Sequence, residues 1–145
     1  MSTENKNREV ISLSQAVNEV RDFVYYHDEL QMGKLDDEDL VVERYPNIVN
    51  AIQIGLLVID EKMNPIYTLK DAVGEDEVSV NVINFRTRIK PMENANITKN
   101  LDISKNQWEF LLRCISFLTQ QPKGVINNLS KYDFKTIEQI CTLFL

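Results

Sequence analysis

Apolar residues recur at three- and four-residue spacing over most of this chain, and the places where that period fails divide it into elements. The strongest stripes lie in the last third. Trp108, Leu111, Leu112, Ile115 and Leu118 fall on one face of a helix. Ser104 followed three residues later by Gln107 reads as the reciprocal cap that starts it, and Pro122 as its stop. Ser130 and Asp133 repeat the start signal for a closing helix whose face carries Phe134, Ile137, Ile140, Cys141 and Phe144. Two apolar stripes in succession need cover, so this third is the expected centre of the fold.

Toward the other end, Leu13, Ala16, Val17, Val20, Phe23, Val24, His27 and Leu30 predict a helix from about Ser14 to about Gln31, with Gly33 beyond its end. Residues 1–12 are polar and are expected to form a frayed, disordered arm. In the acidic run Asp36-Asp37-Glu38-Asp39, Asp36 is expected to cap a short helix and the other acids to sit in its first turn, where negative charge favours the positive end of the helix dipole. Pro46 suits a first helical position, and Ile48, Val49 and Ile52 form a stripe that Gly55 ends. Residues 13–56 therefore read as a helical module.

From Leu56 the period changes to two. Leu56 to Ile59 and Pro65 to Leu69 are short β-type runs joined by Asp60 to Asn64, a predicted hairpin. Asp71 to Glu77 reads as an acidic surface loop. Val78 to Ile89 reads as the longest strand, with Val78, Val80 and Val82 apolar on even numbers and Phe85, Thr87 and Ile89 facing inward on odd numbers. That change of parity near Ile83 and Asn84 predicts a β-bulge, or two strands meeting at a bend. Pro91 ends the strand, and Met92 to Leu101 is a short helix or irregular linker. The expected fold class is α+β: a small antiparallel sheet, hairpin plus one long bulged strand, packed with helices. Residues 57–145 form this α+β domain, one compact domain together with 13–56.

A length of 145 residues suits one domain, and 43% hydrophobic with 26% charged residues is ordinary for a globular protein. The net charge of −6 argues against a broad nucleic-acid footprint. Cys114 and Cys141 lie on or beside apolar stripes, where cysteine behaves as a small buried hydrophobe. With no C-x-x-C pair, a reducing cytoplasm is the expected location. The N-terminal residues lack the apolar core of a signal peptide. The apolar stretch from Ile48 to Ile59 is too short for a bilayer of about 30 Å, so no membrane span or membrane partner is expected.

Candidate chemistry is thin. The acidic run lacks the alternate carboxylates, central glycine and closing glutamate of a calcium loop. The single histidine, His27, has no G-x-S-x-G elbow or matching cysteine signature beside it. Gly33, Gly55, Gly74 and Gly124 are too scattered for a phosphate cradle. No catalytic residue, metal or cofactor is expected, and the chain reads as no enzyme. Two surfaces suit a protein partner instead. Arg86, Arg88 and Lys90 alternate along one strand face, either a solvated row that deters edge pairing or a docking strip for an acidic segment. Leu143, Phe144 and Leu145 keep the end of the sequence apolar, so the closing helix is either buried on two sides or offers an apolar patch to a partner.

From about residue 56 to 145 the order of local phrases resembles that of phage tail assembly chaperones. A strand with Pro65-Ile-Tyr-Thr-Leu69 is followed by an acidic loop and a strand closing in Phe85-Arg-Thr-Arg-Ile89. Then come a helix ending Leu118-Thr-Gln-Gln-Pro122, a short Val125-Ile-Asn-Asn-Leu129 segment, and a last helix opened by Tyr132-Asp-Phe134. The resemblance implies a non-enzymatic helper made in the infected bacterial cytoplasm. It would coat the tape measure protein, a long helical rod, and help tail tube subunits polymerise around it. Such a chaperone leaves the finished tail, whereas a tail or baseplate adaptor would remain in the particle. A small acidic regulator that binds a basic protein is the third reading. Many relatives have a glycine before the proline that ends the penultimate helix, where this chain has Gln120 and Gln121, and residues 13–56 have no counterpart in the family. Oligomeric state is open, a homo-oligomer included.

Overall fold

The computed structural model describes residues 10–75 and 78–145. Among them are seven α-helices and one three-stranded antiparallel sheet, an α+β fold. The chain divides into two compact units, the first ending at Thr68 and the second beginning at Leu69. That boundary lies inside a strand, and the hairpin strand Leu57–Ile59 packs on the helix before it.

In the first unit, α1 spans Leu13–His27, α2 Glu38–Arg44 and α3 Pro46–Gln53. The start of α1 is Ser12, whose hydroxyl accepts the Gln15 N–H at 3.2 Å while the Gln15 side chain accepts the Ser12 N–H. This capping box was missed in the arm predicted over residues 1–12. Val10 also has a partner, since its N–H donates to the Gln53 carbonyl at 2.5 Å and its side chain closes on Gly55. The rest of that arm, residues 1–9, lies outside the described residues. Ala16, Val17, Val20, Phe23 and Val24 are fully buried, the predicted face, and each of the larger ones contributes about 1.5–3 kcal/mol by leaving water. The helix ends four residues before Gln31, however. Asp28 leaves the helical region with φ −133°, and its carboxylate accepts the Leu30 N–H to begin a 3₁₀ turn over Glu29–Gln31, which turns Leu30 out to 78% exposure.

The cap of α2 is Asp37, one residue later than expected, with its carboxylate on the Asp39 N–H at 3.0 Å. Asp36 is engaged differently: its carbonyl accepts from Arg21 and its carboxylate from the Tyr25 hydroxyl. Pro46 opens α3 as predicted, and Ile48, Val49 and Ile52 are buried against α1. Strand β1, Leu57–Ile59, pairs antiparallel with β2, Pro65–Val73, in the register Leu57 to Tyr67 and Ile59 to Pro65. The hairpin holds, and β2 runs on through Asp71 to Val73, which the sequence placed in a loop. Residues 76 and 77 of that expected loop lie outside the described residues.

In the second unit β3 is Val80–Asn84, and the sheet order is β1-β2-β3. The predicted long bulged strand is absent: β2 is the longest, at nine residues, and β3 has five. Ile83 and Phe85 are buried on the same odd face that carries half-buried Thr87 and Ile89, while Val78 and Val82 are exposed, so parity never changes and no bulge is needed. Beyond Asn84 the chain leaves the ladder, and the Arg86 N–H donates to the Leu118 carbonyl at 2.7 Å. Helices α4, Pro91–Ile97, α5, Gln107–Thr119, α6, Lys123–Asn127, and α7, Lys131–Thr142, follow. Ser104 does not cap α5. Its hydroxyl donates to the Asp102 carboxylate in a preceding turn, and Asn106 takes the cap position without a side-chain bond.

The core of this unit is made of Leu112, Cys114, Ile115 and Leu118 of α5 against Ile137, Ile140 and Cys141 of α7. Trp108, placed on that stripe by its spacing, is 57% exposed and leans on Phe134, with ring centroids 5.6 Å apart. Ser130 caps α7 as predicted, its hydroxyl accepting the Asp133 N–H. Asp133 is fully buried and its carboxylate accepts the Lys70 and Asp71 N–H groups at 2.9 and 3.0 Å, tying α7 to β2.

Candidate functional site

Of the six residues predicted to meet a partner, one, Leu145, lines a cleft of the second unit. Ile89, from the strand-like segment with the basic row, and Leu145, from the apolar end, line one cleft of about 340 Å³ with Pro91 and Asn94 of α4 and Phe110 of α5. Local sequence explains the arrangement. Pro91 starts α4 and turns the chain, and the Glu93 carboxylate accepts the Lys90 N–H at 3.0 Å, fixing the corner between segment and helix. The chain past α7 follows Phe144, which is buried, so Leu145 is delivered to the cleft at 55% exposure.

The six predicted partner residues do not act alike. Arg88 and Lys90 are exposed on the even face beside Ile89 and form no ion pair with another described residue. Arg86 is committed: its guanidinium stands 4.7 Å over the Phe117 ring and pairs with Glu93 at 3.6 Å. Such stacking suits the flat, weakly hydrated guanidinium. Leu143 is half-buried and Phe144 belongs to the core, leaving Leu145 as the accessible member of the apolar end. Pro91, Asn94 and Phe110 were not singled out from sequence. Phe110 lies off the α5 stripe, and that displacement was the available signal.

A larger cleft of about 540 Å³ lies between α4 and α5, with Glu93, Asn96, Arg113, Ser116 and Lys123 in its wall. Its charged groups are already bonded. Arg113 donates to Glu109 at 2.8 Å and to the carbonyls of Ile97 and Lys99, Lys123 pairs with Glu109, and the Ser116 hydroxyl donates to the Gln121 carbonyl. These bonds hold the Glu109 carboxyl below the ordinary glutamate value, Lys123 contributing most and Arg113 next. Groups spent on holding helices together have little left for a ligand, so the smaller, mostly apolar cleft is the stronger candidate.

The groups that could carry covalent chemistry have structural employment. His27 Nε2 lies 2.6 Å from the Met63 carbonyl and donates to it, with the ring edge-on to Phe23 and Tyr26. Cys114 and Cys141 are buried, and burial raises both thiols above the ordinary cysteine value, Cys141 far above it. No group of three or more metal-ligating side chains occurs among the described residues, and no helix there is long and apolar enough to cross a membrane. No protein-family model, curated protein or solved structure matches the chain.

Proposed function

We propose that the chain is a non-enzymatic assembly chaperone of phage tails, acting in the infected cytoplasm, whose cleft holds an apolar helical segment of the tape measure protein. The observation that supports this reading most is the meeting of Ile89, Phe110 and Leu145 in one apolar cleft, with the exposed Arg88 and Lys90 flanking Ile89 along the chain. An amphipathic helix lays its apolar anchors into such a groove, while carboxylates beside the anchors pair with the neighbouring Arg88 and Lys90 and set register more than affinity. Covering a coiled-coil seam in this way keeps a long rod from aggregating before tail tube subunits close around it. The inert placement of His27, Cys114 and Cys141 supports a role without bond-making chemistry.

The test is co-expression with the tape measure protein. Leu145→Asp together with Arg88→Glu alters exposed side chains, so the fold should persist by circular dichroism while the amount of tape measure protein recovered in the soluble fraction falls at least tenfold. Unchanged recovery with the folded double variant contradicts the proposal. So does abundant peptide from this chain in purified virions, which would favour a structural adaptor.

A further inference from the structure

We infer that two copies of this chain join along β3, antiparallel about a two-fold axis at Val82, so that their sheets become one. In the order β1-β2-β3 each outer strand has one edge with no strand beside it, a row of backbone donors and acceptors open to a further strand. The two edges differ. Strand β1 has three residues, and shortness itself limits pairing. Strand β3 has five, Val80-Asn-Val-Ile-Asn84, with no charge and no proline among them. Outside the sheet ladder, none of these five makes a backbone hydrogen bond to another described residue.

The usual devices that blunt an edge are missing from β3. Lysine, proline or a bulge would do so, but here the cations begin only at Arg86, where the chain has left the ladder and the N–H is taken by the Leu118 carbonyl. Ile83 is fully buried, whereas Val82 beside it is 43% exposed and Val78, just ahead of the strand, 81%. Successive side chains alternate faces, so β3 covers the core with Ile83 and leaves valine on the outer face. A β-branched side chain suits a pleated, covered surface and gains when a like residue stands opposite across a strand pair.

Charge selects the occupant and its direction. Exposed Glu75 precedes β3, with Asp76 and Glu77 after it in the sequence, and exposed Arg88 and Lys90 follow the strand. A second copy laid antiparallel sets the acidic flank of each chain toward the basic flank of the other, whereas a parallel copy would set like charge on like. The register centred on β3 puts Val82 opposite Val82 and Val80 opposite Asn84, all on one face of the strand. Both copies use the same edge, so the contact closes at the dimer. It rests on the strand edge and not on the cleft of Ile89, Phe110 and Leu145, so it stands or falls apart from the proposed function.

Sedimentation velocity on the full chain tests this with Val82→Lys and Val82→Glu, both at an exposed position and each checked for native circular dichroism. The native chain is expected to pass from monomer to dimer with rising concentration and to stop there. Each variant alone should dimerise at least about tenfold more weakly, because like charges meet at the axis and the valine pair is lost. An equimolar mixture of the two should dimerise again, since lysine then faces glutamate. On the native chain itself, amide hydrogen exchange along Val80–Asn84 should slow as concentration rises, while that of Val58 in β1 stays constant. A native chain that is monomeric throughout or grows past the dimer, variants that dimerise like the native chain, a mixture no stronger than its components, or new protection at Val58 instead of β3 would each overturn the inference.

Discussion

Asp133 is the residue on which the second unit turns most sharply. Its carboxylate is fully buried and accepts two backbone N–H groups of β2 besides the Ser130 hydroxyl. Its place in the first turn of α7 adds the favourable end of the helix dipole. Asp133→Ala strands two donors, and bonds to a charged acceptor are the stronger kind, so we expect a loss of roughly 2–4 kcal/mol in urea unfolding. The thiols offer a second check at this scale. A raised folded value keeps Cys114 and Cys141 protonated, so both should resist a thiol-reactive dye near neutral pH in the folded chain and react together once it is denatured.

At the scale of elements, the end of α5 stores strain that can be relieved. Gln120 sits at φ 58°, a left-handed conformation that favours glycine, while the Gln121 N–H returns to the Ser116 carbonyl. Gln120→Gly should stabilise by about 0.5–1 kcal/mol, the relieved strain exceeding the added freedom of the unfolded chain. The Glu109 cross-link makes a pH prediction. Its folded value is depressed, so its contribution is present above the ordinary glutamate value and is lost as pH falls through the lower folded one. Glu109→Gln should flatten the acid side of a stability profile, and less so in high salt, where this exposed network is screened.

The same elements show what was legible in the sequence. Period located α1, α3, α5 and α7 because their apolar faces are buried, and the start signals held at Pro46 and Ser130. Boundaries failed where a side chain chose a neighbour outside the pattern: Asp28 ended α1 early, and Ser104 bonded Asp102 instead of opening α5. The bulge failed because Val78 and Val82 look like core residues yet are exposed. Of the candidate site, Arg88, Lys90 and Leu145 were legible as charge and apolarity, whereas Pro91, Asn94 and Phe110 enter the cleft only through tertiary packing.

At the scale of the whole molecule, the chain joins an acidic unit, net −7 up to Thr68, to a nearly neutral one, net +1 from Leu69. The proposed function requires no reacting group: it works through cover of apolar area, with charge setting register. The central claim is that the cleft of the second unit is where a client polypeptide sits. Its most direct measurement is backbone NMR of the labelled chain titrated with a helical segment of the tape measure protein. The account predicts shift changes concentrated on Arg88, Ile89, Asn94, Phe110 and Leu145, with little at Asp133 or in α3. Binding that leaves those five signals unmoved, or shifts that gather instead around the larger cleft at Asn96 and Ser116, would contradict it.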